Sequence, residues 1–116
     1  MRAVKMAKIS IAKQFSRFPA GRYKTDGPHS GEKFREEHLV PALQKDETVT
    51  IELDGARGYG SSFLEEAFGG LIRAGADVTL VKKKLRLHSK DQSLVSEINE
   101  YIEKAIDKNK HARMHS

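Results

Sequence analysis

The sequence predicts an α/β domain: a mixed β-sheet of four or five strands, about three helices packed on it, and a β-hairpin at the front. Two periodic segments carry the prediction. TVTIEL, residues 48–53, places Val49, Ile51 and Leu53 on one face of a strand. Residues 62–75 place Phe63, Leu64, Ala67, Phe68, Leu71 and Ile72 on one broad helical stripe. Along the chain the two periods alternate as strand, strand, helix, strand, helix, strand, short strand, helix. Strand–helix–strand units of that kind lay helices against a sheet.

Each element has a local reason. KISIAK, residues 8–13, alternates Ile9 and Ile11 and reads as the first strand. QFSRFPAGRYKTDGPHSG then mixes aromatics with Gly, Pro and Asp-Gly. It reads as a turn, a short strand near residues 20–24 and a second turn at Asp26-Gly27-Pro28, which together make the front hairpin. Ser30 is a good N-cap for a helix over 31–45 whose stripe is Phe34, Leu39, Ala42 and Leu43. Pro41 sits inside that stripe and is expected to kink or divide the helix near Val40.

In the helix of residues 62–75, Ser62 with Glu65 reads as a capping box, and Arg73 suits the last turn. Gly75 can take the left-handed position after it. The pair Gly69-Gly70 weakens a helix by about 1 kcal/mol per residue and marks a close approach of another backbone. DVTLV, residues 77–81, reads as a buried strand, and LRLH, residues 85–88, as a short one. Ser89 or Asp91 then caps a last helix carrying Leu94, Ile98, Ile102, Ala105 and Ile106 on one face. The expected organisation is a single domain over residues 1–107 and a basic, disordered tail over 108–116.

Composition narrows the chemistry. The chain has 116 residues, enough to bury a single core without metal or disulfides. It has no Cys, so disulfides, Cys-based zinc sites and Cys nucleophiles are excluded. The net charge of +5 admits nucleic acid, an acidic protein or an anionic ligand as partner. The cations concentrate at Arg2, Lys5 and Lys8, at Lys82, Lys83, Lys84 and Arg86, and in the tail. No aromatics interleave with them, which argues against a base-stacking surface. No apolar run is long enough for a signal peptide or a membrane span, so a cytoplasmic protein is expected. His29, His38, His88, His111 and His115 form no paired metal spacing on one element. Neither a metal nor a cofactor is expected.

The stretch DGARGYGSSF, residues 54–63, joins a strand to a helix, a context in which backbone amides can cradle an anion. It lacks the Gly-Lys-Ser/Thr of a P-loop and the third glycine of the dinucleotide fingerprint. Glu65 and Glu66 already occupy the first helical turn and complement its dipole. Asp54 with Arg57 reads as a local ion pair or turn cap. On residue chemistry alone the stretch is a tight turn with a capped helix, a phosphorylation site or a phosphate cradle.

The segment TVTIELDGARGYGSSFLEEAFGGLI resembles the central motif of STAS domains, the fold of anti-sigma factor antagonists. FSRFPAGRY, SGEKFREEHLVPAL and LDGARGYGSSFLEEAFGGLIR together resemble the STAS-like family of small prokaryotic proteins, over about residues 8–107. The resemblance implies a regulatory protein-interaction module whose acceptor serine is phosphorylated by a histidine-kinase-like ATPase. On that pattern Ser61 takes the acceptor position. The family's preceding Asp is Gly60 here, and the Gly after the serines is Phe63.

The expectation is therefore a non-enzymatic, STAS-like docking module. Its candidate partner-binding residues are Asp54, Arg57, Gly58, Tyr59, Gly60, Ser61 and Ser62, with Ser61 as phospho-acceptor. A homodimer is compatible with this reading. A rival is a nucleic-acid-associated protein using the basic patch Lys82, Lys83, Lys84 and Arg86. Another is a sensor of a small anionic ligand or nucleotide, or an enzyme, using the glycine-rich loop.

Overall fold

The computed structural model describes residues 5–114. The alternation at 48–53 forms β2 (Thr48–Glu52), with Val49 and Ile51 fully buried. It is the middle of a three-stranded sheet, between β1 (Met6–Ser10) and β3 (Leu85–His88). Both pairings are parallel, and Ile9, Ile51 and Leu87 line up across the sheet. Parallel neighbours require long crossovers, and the helices supply them.

Two sheet expectations are corrected. The described residues form three strands, all parallel, where a mixed sheet of four or five was expected. The front hairpin does not form, because β1 pairs with β2 and residues 20–24 lend their backbone to a helix start instead. The amides of Gly31 and Glu32 donate to the carbonyls of Gly21 and Arg22 at 2.9 and 3.0 Å. Ser30 Oγ accepts from the Lys33 amide at 3.1 Å. Three donors that a helix start leaves unpaired are thus satisfied, two of them by the loop.

The helix they open is α1, residues 31–45, built of Gly31–Phe34, Arg35–Leu39 and Val40–Lys45. Its middle segment is a wide turn in which the Val40 amide donates to the Arg35 carbonyl. The helix continues past Pro41 because the wider turn just before it relaxes the register that the ring disrupts. Leaving β2, the chain forms α2, residues 61–73, which also carries a wide turn at Glu65–Gly69. It stops at Gly75, whose φ is +97°, with Gly75 and Ala76 amides donating to Ile72 and Leu71 carbonyls at 3.0 Å. That is the left-handed stop expected there.

The strand expected at 77–81 is instead the start of α3 (Val78–Lys84). Asp77 caps it, accepting from the Leu80 amide at 3.2 Å, and three lysines complement the dipole of its last turn. Of its apolar residues only Val81 is buried; Leu80 is 47% exposed. A short apolar run does not distinguish strand from helix, and here cap and dipole decide. The last helix, α4 (Gln92–Met114), starts behind Asp91, which accepts from the amides of Ser93 and Leu94. It runs past residue 107, into the basic segment, where the Asn109 amide group donates to the Ile72 carbonyl at 3.1 Å.

Helices α1 and α2 cross at minimal separation. A Cβ on Gly31 would collide with the Phe63 carbonyl. Beside that crossing, Arg35 donates to both the side chain and the carbonyl of Glu66 at 2.6 Å, and both residues are buried. Gly70 leaves the space that the Arg35 guanidinium fills. Gly69 makes room for the Glu65 carboxylate and brings α2 against the Tyr101 backbone of α4. Arg22 and Arg73 complete the network, reaching Glu65 at 2.5 and 2.6 Å and Glu66 at 3.2 Å. The expected close approach at the glycine pair is thus partly backbone and partly buried charge.

The core is continuous from the sheet through the inner faces of α1, α2 and α4. Phe34, Phe63 and Phe68 are fully buried at its centre, with Leu71 and Ile98. Phe68→Ala should cost roughly 3–5 kcal/mol, read as a lowered urea midpoint with an unchanged slope.

The network sets the acid limb of stability. Arg73 first, then Arg22, holds the Glu65 carboxyl below the usual carboxylate range. Burial pushes Glu66 up, but its bonds from Arg35 and Arg22 outweigh this and the net direction is down. Depressed folded-state values mean that this stabilisation is present above the unfolded value of about 4.3 and lost as pH falls through the lower folded values. Glu66→Gln should lose about 3 kcal/mol or more near neutral pH. It should show a flatter decline than wild type in urea titrations between about pH 7 and pH 3.

Candidate functional site

The glycine-rich loop leaves β2 at Leu53, which is 1% exposed, and enters α2 at Ser61. It is fastened at three points. Tyr59 donates its hydroxyl to the Leu53 carbonyl at 2.6 Å and packs its ring against Phe63. Burial, then the nearby carboxylates of Asp54 and Glu52, push the Tyr59 phenol well above its ordinary value, so it stays a hydrogen-bond donor. Asp54 accepts from the Ser89 hydroxyl at 2.9 Å and from the Lys90 amide at 3.2 Å. The Ser89 bond above all holds its carboxyl below the usual range. The Arg57 amide donates to the Arg17 carbonyl at 2.8 Å, tying the loop to the segment after β1.

These contacts correct two local expectations. Asp54 does not pair with Arg57; it clamps the turn between β3 and α4, because β3 lies beside β2 and brings Ser89 within reach. Ser62 does not cap α2. The N-cap is Gly60, with φ −68° and ψ 144° and no side-chain cap, and helical geometry begins at Ser61. Glu65 cannot close a capping box, since Arg22 and Arg73 hold its carboxylate.

The result is an open helix start on a fastened loop. Ser61 and Ser62 occupy the first two helical positions and are exposed, as are Arg57, Gly58 and Gly60. A Cβ built on Gly58 or Gly60 would meet nothing within 4 Å. Gly58 has a φ of +137°, which favours glycine, whereas the Gly60 backbone suits any residue. Of the candidate residues, Arg57, Gly58, Gly60, Ser61 and Ser62 present a surface. Asp54 and Tyr59 hold the mount beneath it.

The structure adds groupings that the sequence did not single out. Phe18, 65% exposed, lies next to Arg17, the residue that binds the Arg57 amide. Glu52, Asp54 and His88 meet at the C-terminal ends of β2 and β3, with potential ligand atoms within 4.8 Å of one another. Their spacing in the chain gives no signal, since the parallel sheet alone assembles them. Protein partners already engage all three: Glu52 accepts from the Asp54 amide at 3.1 Å and lies 2.5 Å from His88 Nδ1. A surface groove of about 650 Å³ lies elsewhere, between α2 and α4, lined by Arg22, Glu65, Glu66, Arg73, Tyr101 and Lys104. Its arginines and glutamates bind one another.

Three members of the basic run are engaged by groups of the chain itself. Lys82 pairs with Glu103 at 3.0 Å, Lys84 donates to the Leu43 carbonyl at 2.7 Å, and Lys83 is exposed. Arg86 donates to the Leu85 carbonyl at 3.0 Å. No helix among the described residues is long and apolar enough to cross a membrane.

Because Ser62 is exposed and caps nothing, Ser62→Ala should change stability by less than about 0.5 kcal/mol. Thermal melts check this: a loss near 1 kcal/mol, typical of a missing N-cap, would restore the capping role.

A family model for a STAS-like domain of unknown function matches residues 30–93, more than half of the chain. No curated protein and no solved structure matches it. The match runs from the cap of α1 to the first turn of α4 and contains the whole glycine-rich loop and α2. The chain belongs to this family of STAS-like domains.

Proposed function

We propose that the chain is a non-enzymatic regulatory module that docks a protein partner through residues 57–62, with a histidine-kinase-like ATPase as the partner type. Family membership supports a regulatory role, and the partner type follows from the resemblance to anti-sigma factor antagonists. One observation carries the reading: an uncapped helix start, exposed and without bulky side chains, mounted on a loop held at Tyr59, Asp54 and Arg57. Three fixed points give the surface a defined shape, so little ordering opposes association. The missing side chains at Gly58 and Gly60 let a partner approach the backbone.

Ser61 is the residue through which such docking would be regulated. Its hydroxyl is exposed at the first helical position, open to a kinase. A phosphate there would bring roughly −1.5 to −2 charges to the positive end of the helix dipole. Glu65 and Glu66 are neutralised by Arg22, Arg35 and Arg73, so the phosphate would not unfold α2 by repulsion. It would change the docking surface and leave the fold intact.

Ser61→Glu tests this. Its melting temperature should match that of wild type, while capture of a specific ATPase from the native lysate should fall by about tenfold or more. Mass spectrometry of wild type incubated with that ATPase and ATP should locate phosphate on Ser61. Equal capture by both proteins would remove the loop from the interface.

A further inference from the structure

We infer that the free edge of β3 is a second docking site, one that takes an extended acidic segment of a partner protein as a fourth strand. Among the described residues no strand lies on the outer side of β3; the Leu85 amide there is taken by the Val81 carbonyl, and Leu87 offers the edge its amide and carbonyl. A groove of about 390 Å³ runs along that edge between α3 and α4. Both faces of the strand line it, Leu85 and Leu87 from one and Arg86 from the other, which places it at the strand's edge. Val81, Val95 and Ile102 give it an apolar floor. A second groove, of about 550 Å³, shares Arg86 and continues toward Lys83 and the exposed Leu80.

In the free protein the Arg86 guanidinium bonds the Leu85 carbonyl, a group that an added strand would also address. The Lys82–Glu103 pair in the groove wall is exposed on both sides, and such pairs are worth little, so an incoming carboxylate can exchange with Glu103. Added strands gain affinity from main-chain hydrogen bonds and specificity from alternate side chains.

Charge selects the occupant. Lys82, Lys83 and Arg86 line the two grooves and are exposed, with Glu103 and Glu47 as their acidic members. Pairing of β3 with β3 of a second copy would set these cations against one another, and like charges across a strand pair are destabilising. Nucleic acid fits less well, because the floor is aliphatic, carries no aromatic ring for stacking, and offers strand-edge amides and carbonyls. A chain alternating Asp or Glu with Val, Ile or Leu matches both the cations and the floor. This inference is independent of the loop surface.

The test is selection of random short peptides on the full chain, followed by titration of the enriched peptides with backbone amide spectra. Enriched sequences should alternate acidic and apolar residues, and the Leu87 amide, which faces away from β2, should gain protection from hydrogen exchange on saturation, while the amides of Arg86 and His88, which face β2, should not change. Lys82→Glu with Arg86→Glu should weaken binding by about tenfold or more, while Ser61→Glu should bind as wild type. Should the double variant lose its thermal melt, Lys83→Glu replaces it and should weaken binding in the same direction. Any of the following overturns the inference: no acidic enrichment, perturbation centred on residues 54–62, or binding indifferent to charge reversal. So does a short single-stranded oligonucleotide that protects the same amide with a steep salt dependence. Concentration-dependent dimerisation lost in Arg86→Glu assigns the edge to a second copy and overturns it equally.

Discussion

The buried bond between Arg35 and Glu66 is the constraint on which the rest of the structure depends. It joins the two helices that cross at Gly31, and each partner sits in the wide turn of its own helix. Such a pair forms only where the backbones come close enough to exclude water while leaving room for a guanidinium. Gly31 meets the first condition and Gly70 the second. Removing either charge would strand the other in the interior, which costs several kcal/mol. The network thereby fixes where α2 lies, and so where its open start points.

From that fixed helix the shape of the exposed loop follows almost mechanically. The parallel sheet ends β2 and β3 side by side, so Asp54 after one strand meets Ser89 after the other. Tyr59 folds back on Leu53, and the loop cannot swing away from the helix it feeds. The glycines then serve opposite purposes along one segment. Gly58 supplies a conformation that other residues resist, and Gly60 leaves a cap position empty that most helices fill. An unfilled cap with exposed serines behind it gives up a little local stability in return for access.

The two surfaces divide the charge of the chain in a consistent way. Acidic residues near the loop are spent internally, on His88, Ser89, Lys90 and the arginines of the network. The exposed cations Lys82 and Arg86 line the groove at the free strand edge, and Lys83 lines the adjoining one. A strand edge bearing Lys and Arg resists pairing with its own kind, and the same charge suits the acidic segment proposed for it.

The sequence by itself determined whatever depends on near neighbours. The alternation at Val49–Ile51, the stripe from Phe63 to Ile72, the cap at Ser30 and the stop at Gly75 all stand in the structure. Each is a matter of period or of hydrogen bonds closing within a few residues. Tertiary structure alone decided the remainder. Residues 20–24 make no strand, since the carbonyls of Gly21 and Arg22 are taken by the start of α1 and those of Tyr23 and Lys24 by the turn that follows. Residues 78–84 follow their local Asp77 cap into a helix because the tertiary packing buries only one apolar side chain there and so imposes no strand. Glu65 looks like a cap partner for Ser62 until Arg22, distant in sequence, and Arg73 claim it. Asp54 finds Ser89 and not Arg57 because strand order, which no local pattern encodes, sets the two turns side by side. Contacts between distant segments carry these choices, and their energies exceed local preferences of a fraction of a kcal/mol.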